Sequence, residues 1–392
     1  MEKLHIVITG RRNTGKSSLI NAILGQDKAI VSAIAGTTTD PVKKSYEIPG
    51  IATIVFIDTA GVDDEGVLGK LRVDKTVETI RQADAAILVI SENRFGSYEE
   101  ELIATFRSLK HPFLIVHNQS DRMPLSLSLR QRLEKEYNVR IIDFSTYGQD
   151  RNLLIEAICS LLHKPQQNSL LGGLIHPGEM VMLITPIDSE APTGRMILPQ
   201  VQMLRDILDH HCISIVLQPE EIPAFFLHSP LRPDLVITDS QVFSKVSPMI
   251  PASIPLTSFS IVLAHQKGNF DQYLKGTRKI EKLNNGDRIL MLESCSHHTS
   301  CEDIGRVKLP LLLKKYTGKQ LEFDYIAGLD QIKRPFTDYA FIIQCGGCMV
   351  TAHQLQSRLQ PAIDAHIPVS NYGMTIAYLT GIFERVIEPF KA

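Results

Sequence analysis

Short apolar segments alternate with amphipathic stretches along the first 165 residues. Five of these segments have the length and composition of buried strands: Leu4–Thr9, Ile54–Ile57, Ala85–Ile90, Pro112–His117 and Val139–Ile142. Continuous apolar runs are typical of strands covered on both faces, and the stretches between them have room for crossover helices. The pattern predicts a doubly wound α/β sheet over residues 1–165, with its ligand site at the carboxyl ends of the strands.

Two further α/β series follow, after a glycine-containing linker at residues 168–173. The second, residues 175–265, has four candidate strands: Glu179–Ile184, Ile213–Leu217, Asp234–Asp239 and Ile254–Phe259. The third, residues 266–392, has candidate strands Arg288–Glu293, Leu321–Ile326 and Tyr339–Ile343, with helices expected over 270–283, 302–315, 349–359 and 373–388. We interpret the second as a small parallel α/β dimerisation domain and the third as a separate α/β domain.

Composition is that of a packed globular protein. The 392 residues are 44% apolar and 21% charged, with a formal net charge of −2. This balance gives no bias toward nucleic acid or an anionic membrane, and no apolar run approaches the ~20 residues of a membrane span. Six cysteines are too few for a disulfide scaffold in a chain of this length. We therefore expect a cytoplasmic protein, with Cys159 and Cys212 as buried structural thiols.

The first predicted strand runs into a phosphate-binding loop. The segment is Gly10-Arg11-Arg12-Asn13-Thr14-Gly15-Lys16-Ser17, and Ser18 then enters a predicted helix. Strand, loop and helix in this order are the context that G-x-x-x-x-G-K-[ST] requires. The glycines let backbone N–H groups turn onto phosphate oxygens, and the helix N-terminus adds partial positive charge. Lys16 is expected to reach the β- and γ-phosphates, and the Ser17 hydroxyl to bind Mg²⁺.

Two later motifs complete the candidate nucleotide site. A buried strand ends in Asp58-Thr59-Ala60-Gly61, which puts a carboxylate near Mg²⁺ and a backbone N–H near the γ-phosphate. Asn118-Gln119-Ser120-Asp121 follows the fourth strand. The Asp121 carboxylate can accept two N–H bonds from guanine, which adenine cannot supply, and Ser145 can support the base.

These motifs resemble the translation-factor class of GTPases, closest to its tRNA-modification and ribosome-assembly branch. The resemblance makes Thr38 the switch threonine that binds Mg²⁺, and it places Asn13 where K⁺-activated members hold potassium. Two positions depart from the family. Gln119 stands where a lysine packs over the base, so weak nucleotide affinity is expected. Val62 stands where Ras-like enzymes carry a water-orienting glutamine, so slow hydrolysis of GTP to GDP is expected.

Cysteines form a second candidate site. Cys295-Ser296-His297 and Cys345-Gly346-Gly347-Cys348 each follow a predicted strand, so three thiols converge if those strands are neighbours. Three thiolates and one weaker ligand suit a cubic iron–sulfur cluster with one replaceable corner. The same residues also fit a closed structural zinc site.

The three-part chain with this cysteine pattern resembles the [FeFe]-hydrogenase maturation GTPases, the HydF family. The resemblance implies a [4Fe–4S] cluster on Cys295, Cys345 and Cys348. It also implies a homodimer through the middle domain that accepts a transient di-iron precursor from two radical-SAM enzymes and delivers it to apo-[FeFe]-hydrogenase. The family pattern has a histidine where Gln344 stands. The fourth ligand is then Glu293, one of the histidines His297 and His298, or water, and Cys301 is a further candidate.

A GTPase that acts on RNA or ribosomes, with a structural zinc domain, is the alternative function. The phosphate loop is compatible with it. The near-neutral charge and the lack of a basic, aromatic-rich stretch favour the metallocofactor scaffold, without nucleic acid or membrane as partner.

Overall fold

The computed structural model describes residues 3–25, 42–48, 52–59, 76–148, 151–162, 169–187, 194, 196–294, 303–330 and 332–391. The chain separates into two compact units, residues 1–167 and 168–392. Each unit has its own sheets and its own core. The domain boundaries expected near residues 165–175 and 265–266 stay predictions.

The first unit is built on a six-stranded sheet in the order β2-β3-β1-β4-β5-β6. Its strands are β1 (Lys3–Thr9), β2 (Val42–Ile48), β3 (Ala52–Asp58), β4 (Ala85–Ile90), β5 (Phe113–His117) and β6 (Ile141–Asp143). Strands β1, β3, β4, β5 and β6 are mutually parallel, as their apolar runs predict. β2 was not predicted; its sequence, VKKSYEI, has three polar residues in a row, and it pairs antiparallel with β3 at the sheet edge.

Helices cover both faces of this sheet, which confirms the doubly wound prediction. They are α1 (Lys16–Leu24), α2 (Ser97–Ser108), α3 (Leu127–Tyr137) and α4 (Arg151–Leu162). One core contains buried residues of α1 and α4, and the other contains buried residues of α2 and α3. Because both faces are covered, strands such as β4 are buried at every position.

The second unit begins with a four-stranded parallel sheet in the order β10-β9-β7-β8. Its strands are β7 (Met180–Ile184), β8 (Ile213–Leu217), β9 (Leu235–Thr238) and β10 (Leu256–Ser258). Its helices are α5 (Leu198–Asp209), α6 (Ile222–His228), α7 (Phe243–Val246) and α8 (Phe259–Lys267), with 3-10 turns at Pro219–Glu221, Ser240–Val242 and Ser247–Met249. The small parallel series expected here is present.

A second four-stranded parallel sheet follows, in the order β12-β11-β13-β14. Its strands are β11 (Arg288–Leu292), β12 (Glu322–Ile326), β13 (Phe341–Gln344) and β14 (Val369–Asn371). Its helices are α9 (Phe270–Thr277), α10 (Leu309–Thr317), α11 (Ala352–Asp364), α12 (Tyr372–Leu379) and α13 (Phe383–Ile387), with a π-helical turn at Ile304–Lys308 and 3-10 turns at Ile280–Lys282, Phe336–Asp338 and Glu388–Phe390. β11 and β13 are direct neighbours, the condition for the two cysteine stretches to meet.

The last predicted helix, residues 373–388, was wrong as a single element. It is two helices, α12 and α13, separated at Gly381, whose φ of 77° lies outside the helical region. The three-residue β14 was missed because so short a strand carries no periodicity.

One hydrophobic core joins the two sheets of the second unit. It contains Met182 and Val236 of the first sheet together with Leu290 and Ile342 of the second, all buried. The shared core makes residues 168–392 one packed body, in which α8 can contact the cysteine-bearing strand ends. Among the helices of the described ranges, none is both long and apolar enough to cross a membrane.

Candidate functional site

The phosphate loop connects β1 to α1 at the carboxyl edge of the first sheet. Gly10 has a φ of 141°, and a Cβ there would lie 2.1 Å from the carbonyl oxygen of Val89. Only glycine fits this close approach. The Lys16 ammonium donates to the carbonyl oxygens of Gly10 at 2.9 Å and Arg11 at 2.7 Å. Its charge is therefore held over the loop whose N–H groups are expected to receive phosphate.

Ser17 and Asp58, the candidate Mg²⁺ residues, are brought together. β3 pairs with β1, so the end of β3 lies beside the phosphate loop. Ser17 Oγ donates to Asp58 Oδ2 at 2.5 Å, and Asp58 Oδ1 is buried without a donor among the residues that the structure describes. A hydroxyl beside a carboxylate with an unused oxygen fits the hard-cation chemistry of Mg²⁺. Thr38 and Gly61 lie outside the described residues.

The candidate guanine-binding segment contacts the phosphate loop directly. Asn118 Nδ2 donates to the carbonyl oxygen of Thr14 at 2.9 Å, and Asp121 Oδ1 accepts from Ser145 Oγ at 2.7 Å. Gln119 has a φ of 62°, and its Nε2 donates to the carbonyl oxygen of Asn13 at 3.1 Å. The glutamine that replaces the expected lysine thus ties this segment to the phosphate loop, a contact that sequence reasoning missed.

An ion pair between half-buried Arg11 and buried Glu99 also supports the loop and was missed. Arg11 Nε and Nη2 donate to the two carboxylate oxygens of Glu99 at 2.8 and 3.0 Å. Glu99 is only 1% exposed, and it also accepts the N–H of Gly96 at the start of α2. The Arg11 guanidinium stacks over Tyr98, 5.4 Å from the ring centre. The capping sequence Gly96-Ser97-Tyr98-Glu99 is the signal that could have located the carboxylate.

The strands that precede the two cysteine stretches, β11 and β13, end side by side. Leu292 pairs with Gln344 in the register of the two strands. The N–H of Ser294 donates to Cys345 Sγ at 3.1 Å, so the residue directly before Cys295 contacts Cys345. Gly347, at φ 72°, turns the loop between Cys345 and Cys348. Cys295, His297, His298 and Cys301 lie outside the described residues.

A buried lysine anchors the loop that carries Cys348. Lys267, at the end of α8, is 4% exposed and donates to the carbonyl oxygens of Gly347 at 3.3 Å and Val350 at 3.0 Å. Burial raises the pKa of the Cys348 thiol to about 11, the charge of Cys345 adds to this shift, and Lys267 opposes it. At neutral pH this thiol is protonated, so a metal that binds it must displace a proton.

Glu293, a candidate fourth ligand, is held by an arginine. Arg306 donates to both carboxylate oxygens of Glu293, at distances of 2.8 to 3.2 Å. The hydrogen bonds that Arg306 donates to this carboxylate raise the pKa of the guanidinium. Arg358 Nη1 donates to the carbonyl oxygen of Glu293 at 3.2 Å, which fixes the backbone as β11 ends. A bidentate pair of this kind holds the carboxylate in one orientation.

The described residues contain two of the candidate cluster ligands, Cys345 and Cys348. Within those ranges no group of three histidine, cysteine or acidic side chains is gathered for a metal. Cys345 and Cys348 nevertheless supply two soft thiolate donors on one loop, beside the point where Cys295 must follow. Nearby, the buried hydroxyl of Tyr372 has no partner among the described residues, and a Cβ at Gly305 would lie 2.4 Å from it. Two thiolates, an N–H donor to sulfur and an unused hydroxyl are compatible with an iron–sulfur group.

Three family models match the chain. The Hydrogen maturase F dimerization domain matches residues 170–268, and the Hydrogen maturase F tetramerization domain matches residues 271–389. The model described as 50S ribosome-binding GTPase matches residues 5–119, which include the phosphate loop and Asn118. The two maturase models lie end to end over the second compact unit.

Curated relatives match the first part of the chain. The tRNA modification GTPase MnmE of Acholeplasma laidlawii is 37% identical over 148 residues, 38% of this chain and 31% of that protein. MnmE of Clostridioides difficile is 32% identical over 183 residues, 46% of this chain and 38% of that protein. The chain thus spans about a third of the length of these relatives.

Among solved structures, Era of Aquifex aeolicus bound to GDP and aluminium fluoride is 21% identical. The match covers 56% of this chain and 93% of that one, with a TM-score of 0.36, too low to support further argument. The family models decide the assignment, because they follow one another along the chain from residue 5 to residue 389. The chain belongs to the hydrogen maturase F (HydF) family, with an α/β P-loop GTPase domain preceding the dimerization and tetramerization domains of that family.

Proposed function

We propose that the protein is a GTP-hydrolysing scaffold for hydrogenase maturation. It holds a [4Fe–4S] cluster on Cys295, Cys345 and Cys348, accepts a di-iron precursor and delivers it to apo-[FeFe]-hydrogenase. The precursor comes from two radical-SAM enzymes. In this proposal the cluster supplies one iron corner that can exchange its ligand, and the chain supplies the thiolates and the surrounding hydrogen bonds.

The contact between Ser294 and Cys345 is the observation that supports this function most. Residues 51 apart in sequence meet through an N–H to sulfur hydrogen bond of 3.1 Å. Backbone N–H groups directed at cysteine sulfur suit a thiolate that shares its charge with iron. The residue that follows Ser294 in the sequence is Cys295, the third proposed cluster ligand.

GTP is the switch in this proposal. Lys16 and the loop N–H groups bind the β- and γ-phosphates, Ser17 and Asp58 hold Mg²⁺, and Asp121 selects guanine. Ordering of the segments around Thr38 and Gly61 by the γ-phosphate can change the surface that partners contact. Hydrolysis then drives association or release, and no hydrolysis energy needs to enter the chemistry of the cluster.

The middle sheet supports the proposed homodimer. β8 lies at the edge of its sheet and exposes two large apolar side chains, Ile213 at 53% and Val216 at 42%. Val201 and Leu208 on the neighbouring helix α5 are 47% and 56% exposed. An apolar edge strand beside an apolar helix face is a surface that a second copy of the chain can cover.

Anaerobic reconstitution with iron and sulfide tests the cluster. We expect a brown protein whose reduced form gives the EPR signal of a [4Fe–4S] cluster, and we expect Cys345→Ser and Cys348→Ser to lose it. Cys159→Ser, a thiol on α4 of the GTPase domain, is the matched control and keeps the signal. A colourless protein that binds zinc would contradict the scaffold and favour the ribosome-associated alternative.

The fourth ligand is tested by EPR on three variants, Glu293→Ala, His297→Ala and His298→Ala. The variant that lacks the ligand should change the g-values of the reduced cluster. For Glu293 to bind iron, its carboxylate must leave Arg306 or share an oxygen with it. Arg306→Lys, which removes the bidentate geometry, should therefore alter the same signal if Glu293 is the ligand and leave it unchanged if water or a histidine is.

Potassium activation is tested by comparing GTP hydrolysis in potassium and sodium buffers. Asn13 is exposed at the tip of the phosphate loop, with a φ of 63° and its carbonyl bonded to Gln119. We expect faster hydrolysis in potassium and loss of that difference in Asn13→Ala. Equal rates in the two buffers would remove Asn13 from the list of ion-binding residues.

A further inference from the structure

A buried polar cluster lies where β11 and β13 end, and it consists of Ser294, Gln344 and Cys345. Ser294 is 5% exposed and Gln344 is 1% exposed. Burying a serine hydroxyl and a glutamine amide next to one thiol costs free energy unless their hydrogen bonds are made. The direction of those hydrogen bonds shows whether these side chains favour negative charge on the Cys345 sulfur.

Three polar atoms surround the sulfur of Cys345. The Ser294 N–H donates to it at 3.1 Å and Gln344 Nε2 donates to it at 3.7 Å, and the Cys345 thiol itself donates to Ser294 Oγ at 2.9 Å. Gln344 Nε2 also donates to Ser294 Oγ at 3.1 Å. In the thiolate form, which binds iron, the serine oxygen still accepts from the amide, and its own hydroxyl proton can turn toward the sulfur. A thiolate at Cys345 can then accept bonds from both the backbone and the side chain of Ser294.

This arrangement leaves one atom unsatisfied. Gln344 Oε1 is buried and has no donor among the residues that the structure describes. Turning the amide nitrogen toward serine and sulfur therefore leaves its oxygen unpaired, a cost of about 1–3 kcal/mol for a buried acceptor. Such a cost indicates that the surroundings favour a donor, not an acceptor, beside Cys345.

Two cationic side chains also donate to backbone oxygens near Ser294 and Cys345. Arg358 donates to the carbonyl oxygens of Glu293 and Gly328, and Lys267 donates to those of Gly347 and Val350. Lys267 is buried and Arg358 is half-buried, and they place positive charge against the loop of Cys345 and Cys348 and against the backbone at Glu293. The nearby carboxylate of Glu293 is paired with Arg306. The local charges and donors thus favour extra negative charge at the sulfur.

We propose that Ser294 and Gln344 act together as positioning residues, which direct hydrogen bonds to the Cys345 sulfur and raise the reduction potential of the cluster. This role rests on the proposed cluster. Reduction adds one electron to the cluster, supplied by dithionite in the experiment below, and no proton is required. Hydrogen bonds to a ligand sulfur stabilise the more negative, reduced state, so their loss makes the potential more negative.

The experiment is a potentiometric titration of the reconstituted full-length protein, followed by EPR. Ser294→Ala removes the hydroxyl and keeps the N–H donor, so the potential should become more negative. Gln344→Glu keeps the side-chain shape but accepts the serine proton and adds negative charge, so its shift should be larger. Ser294→Thr retains a hydroxyl and should restore the wild-type value. Ser370→Ala is the matched control, because that buried serine on β14 bonds to Thr277 and Thr375 and not to a cysteine.

Potentials that are equal in wild type, Ser294→Ala and Gln344→Glu, with the cluster fully loaded, would overturn the proposal. If Ser294→Ala loads no cluster while Ser370→Ala does, Gln344→Glu alone tests the proposal. A more negative potential in that variant supports it, and an unchanged potential overturns it. A wild-type protein that takes up no iron would instead refute the proposed cluster function itself. A shift in Ser370→Ala as large as that in Ser294→Ala would show a general packing effect and would count against the positioning role.

Discussion

The phosphate loop and the cysteine loop follow the same plan but are stabilised differently. Each leaves the carboxyl end of a parallel strand and leads to a helix. The phosphate loop has an anchor of its own, since Lys16 bonds to Gly10 and Arg11 six and five positions away. Distant contacts from Glu99, Asn118 and Gln119 add to it. The cysteine loop is held from a distance, by Ser294 51 residues before Cys345 and by Lys267 80 residues before Gly347.

The difference reflects the ligand that each loop is expected to bind. Phosphate is recognised by backbone N–H groups and one cation, which a contiguous loop and a helix N-terminus can supply. The proposed iron–sulfur cluster takes its three thiolates from two stretches that are far apart in the sequence, and the pairing of β11 with β13 puts the strands before them side by side. The first site is therefore a local motif, whereas the second depends on the order of strands in a sheet.

The largest expected effect tests whether the nucleotide site and the cluster site function independently. Lys16→Ala removes the cation over the phosphates and should lower the rate of GTP hydrolysis by about 10²–10³-fold, the effect of deleting one electrostatic donor to a developing charge. Hydrogenase maturation should be lost as well, while iron content and the EPR signal stay at the wild-type level. Lys135→Ala, an exposed lysine on α3, is the control. Loss of the cluster in Lys16→Ala would show that the two sites are not separable.

Two glycines test whether the compact units also fold separately. A Cβ at Gly276 of α9 would lie 1.9 Å from the Val369 carbonyl oxygen, and one at Gly10 would lie 2.1 Å from that of Val89. Each alanine variant should lower the free energy of unfolding of its own unit by about 3 kcal/mol through overpacking. Hydrogen exchange with mass spectrometry on the full chain should show Gly276→Ala loosening residues 168–392 and Gly10→Ala loosening residues 1–167. Equal loosening of both units by either variant would contradict this division.

A smaller effect is expected from the support of the phosphate loop. Glu99→Gln keeps the shape of the side chain and removes the charge that Arg11 pairs with inside the protein. We expect a loss of about 1–2 kcal/mol in local stability and a several-fold weaker affinity for GTP. Isothermal titration with a non-hydrolysable analogue measures the affinity, and Glu100→Gln, exposed on the same helix, is the control. No change in affinity would confine the pair to a structural role.

The smallest expected effect is a dependence of stability on pH that is confined to residues 1–167. Burial, followed by the charge of Lys43, lowers the pKa of His5 on β1 from 6.5 to about 4. Because the folded pKa lies below the unfolded one, stability is complete above about pH 6.5 and falls as pH drops toward 4. The Asp84 carboxylate 3.9 Å from Nδ1 offsets part of the cost, so we expect a loss of about 1 kcal/mol at pH 5.

Hydrogen exchange at pH 6.5 and 5, corrected for the intrinsic rates, measures this loss. His5→Gln should remove most of the dependence in residues 1–167. The unit at 168–392 supplies an internal comparison, because His5 lies outside it. An unchanged profile in wild type between the two pH values would show that His5 does not titrate over this range.

Much of the first unit followed from sequence. The apolar runs predicted β1, β4 and β5 closely, because a strand buried on both faces has no polar alternation to confuse the pattern. The structural roles of Gln119 and of the Arg11–Glu99 pair could not be predicted from the pattern of apolar residues. Their roles depend on which loops lie side by side, and neither residue type specifies its partner.

In the second unit the short strands and interrupted helices were harder to predict. β14 has three residues, and the helix expected over 373–388 divides at Gly381. The sequence by itself determined the nucleotide motif, the parallel α/β class and the three cysteines, because each depends on residues close together in the chain. Only the tertiary structure decided that β11 lies against β13 and that the Ser294 N–H and the Gln344 amide donate to the Cys345 sulfur. Strand order and buried hydrogen-bond direction are properties of long-range packing, which local residue patterns do not specify.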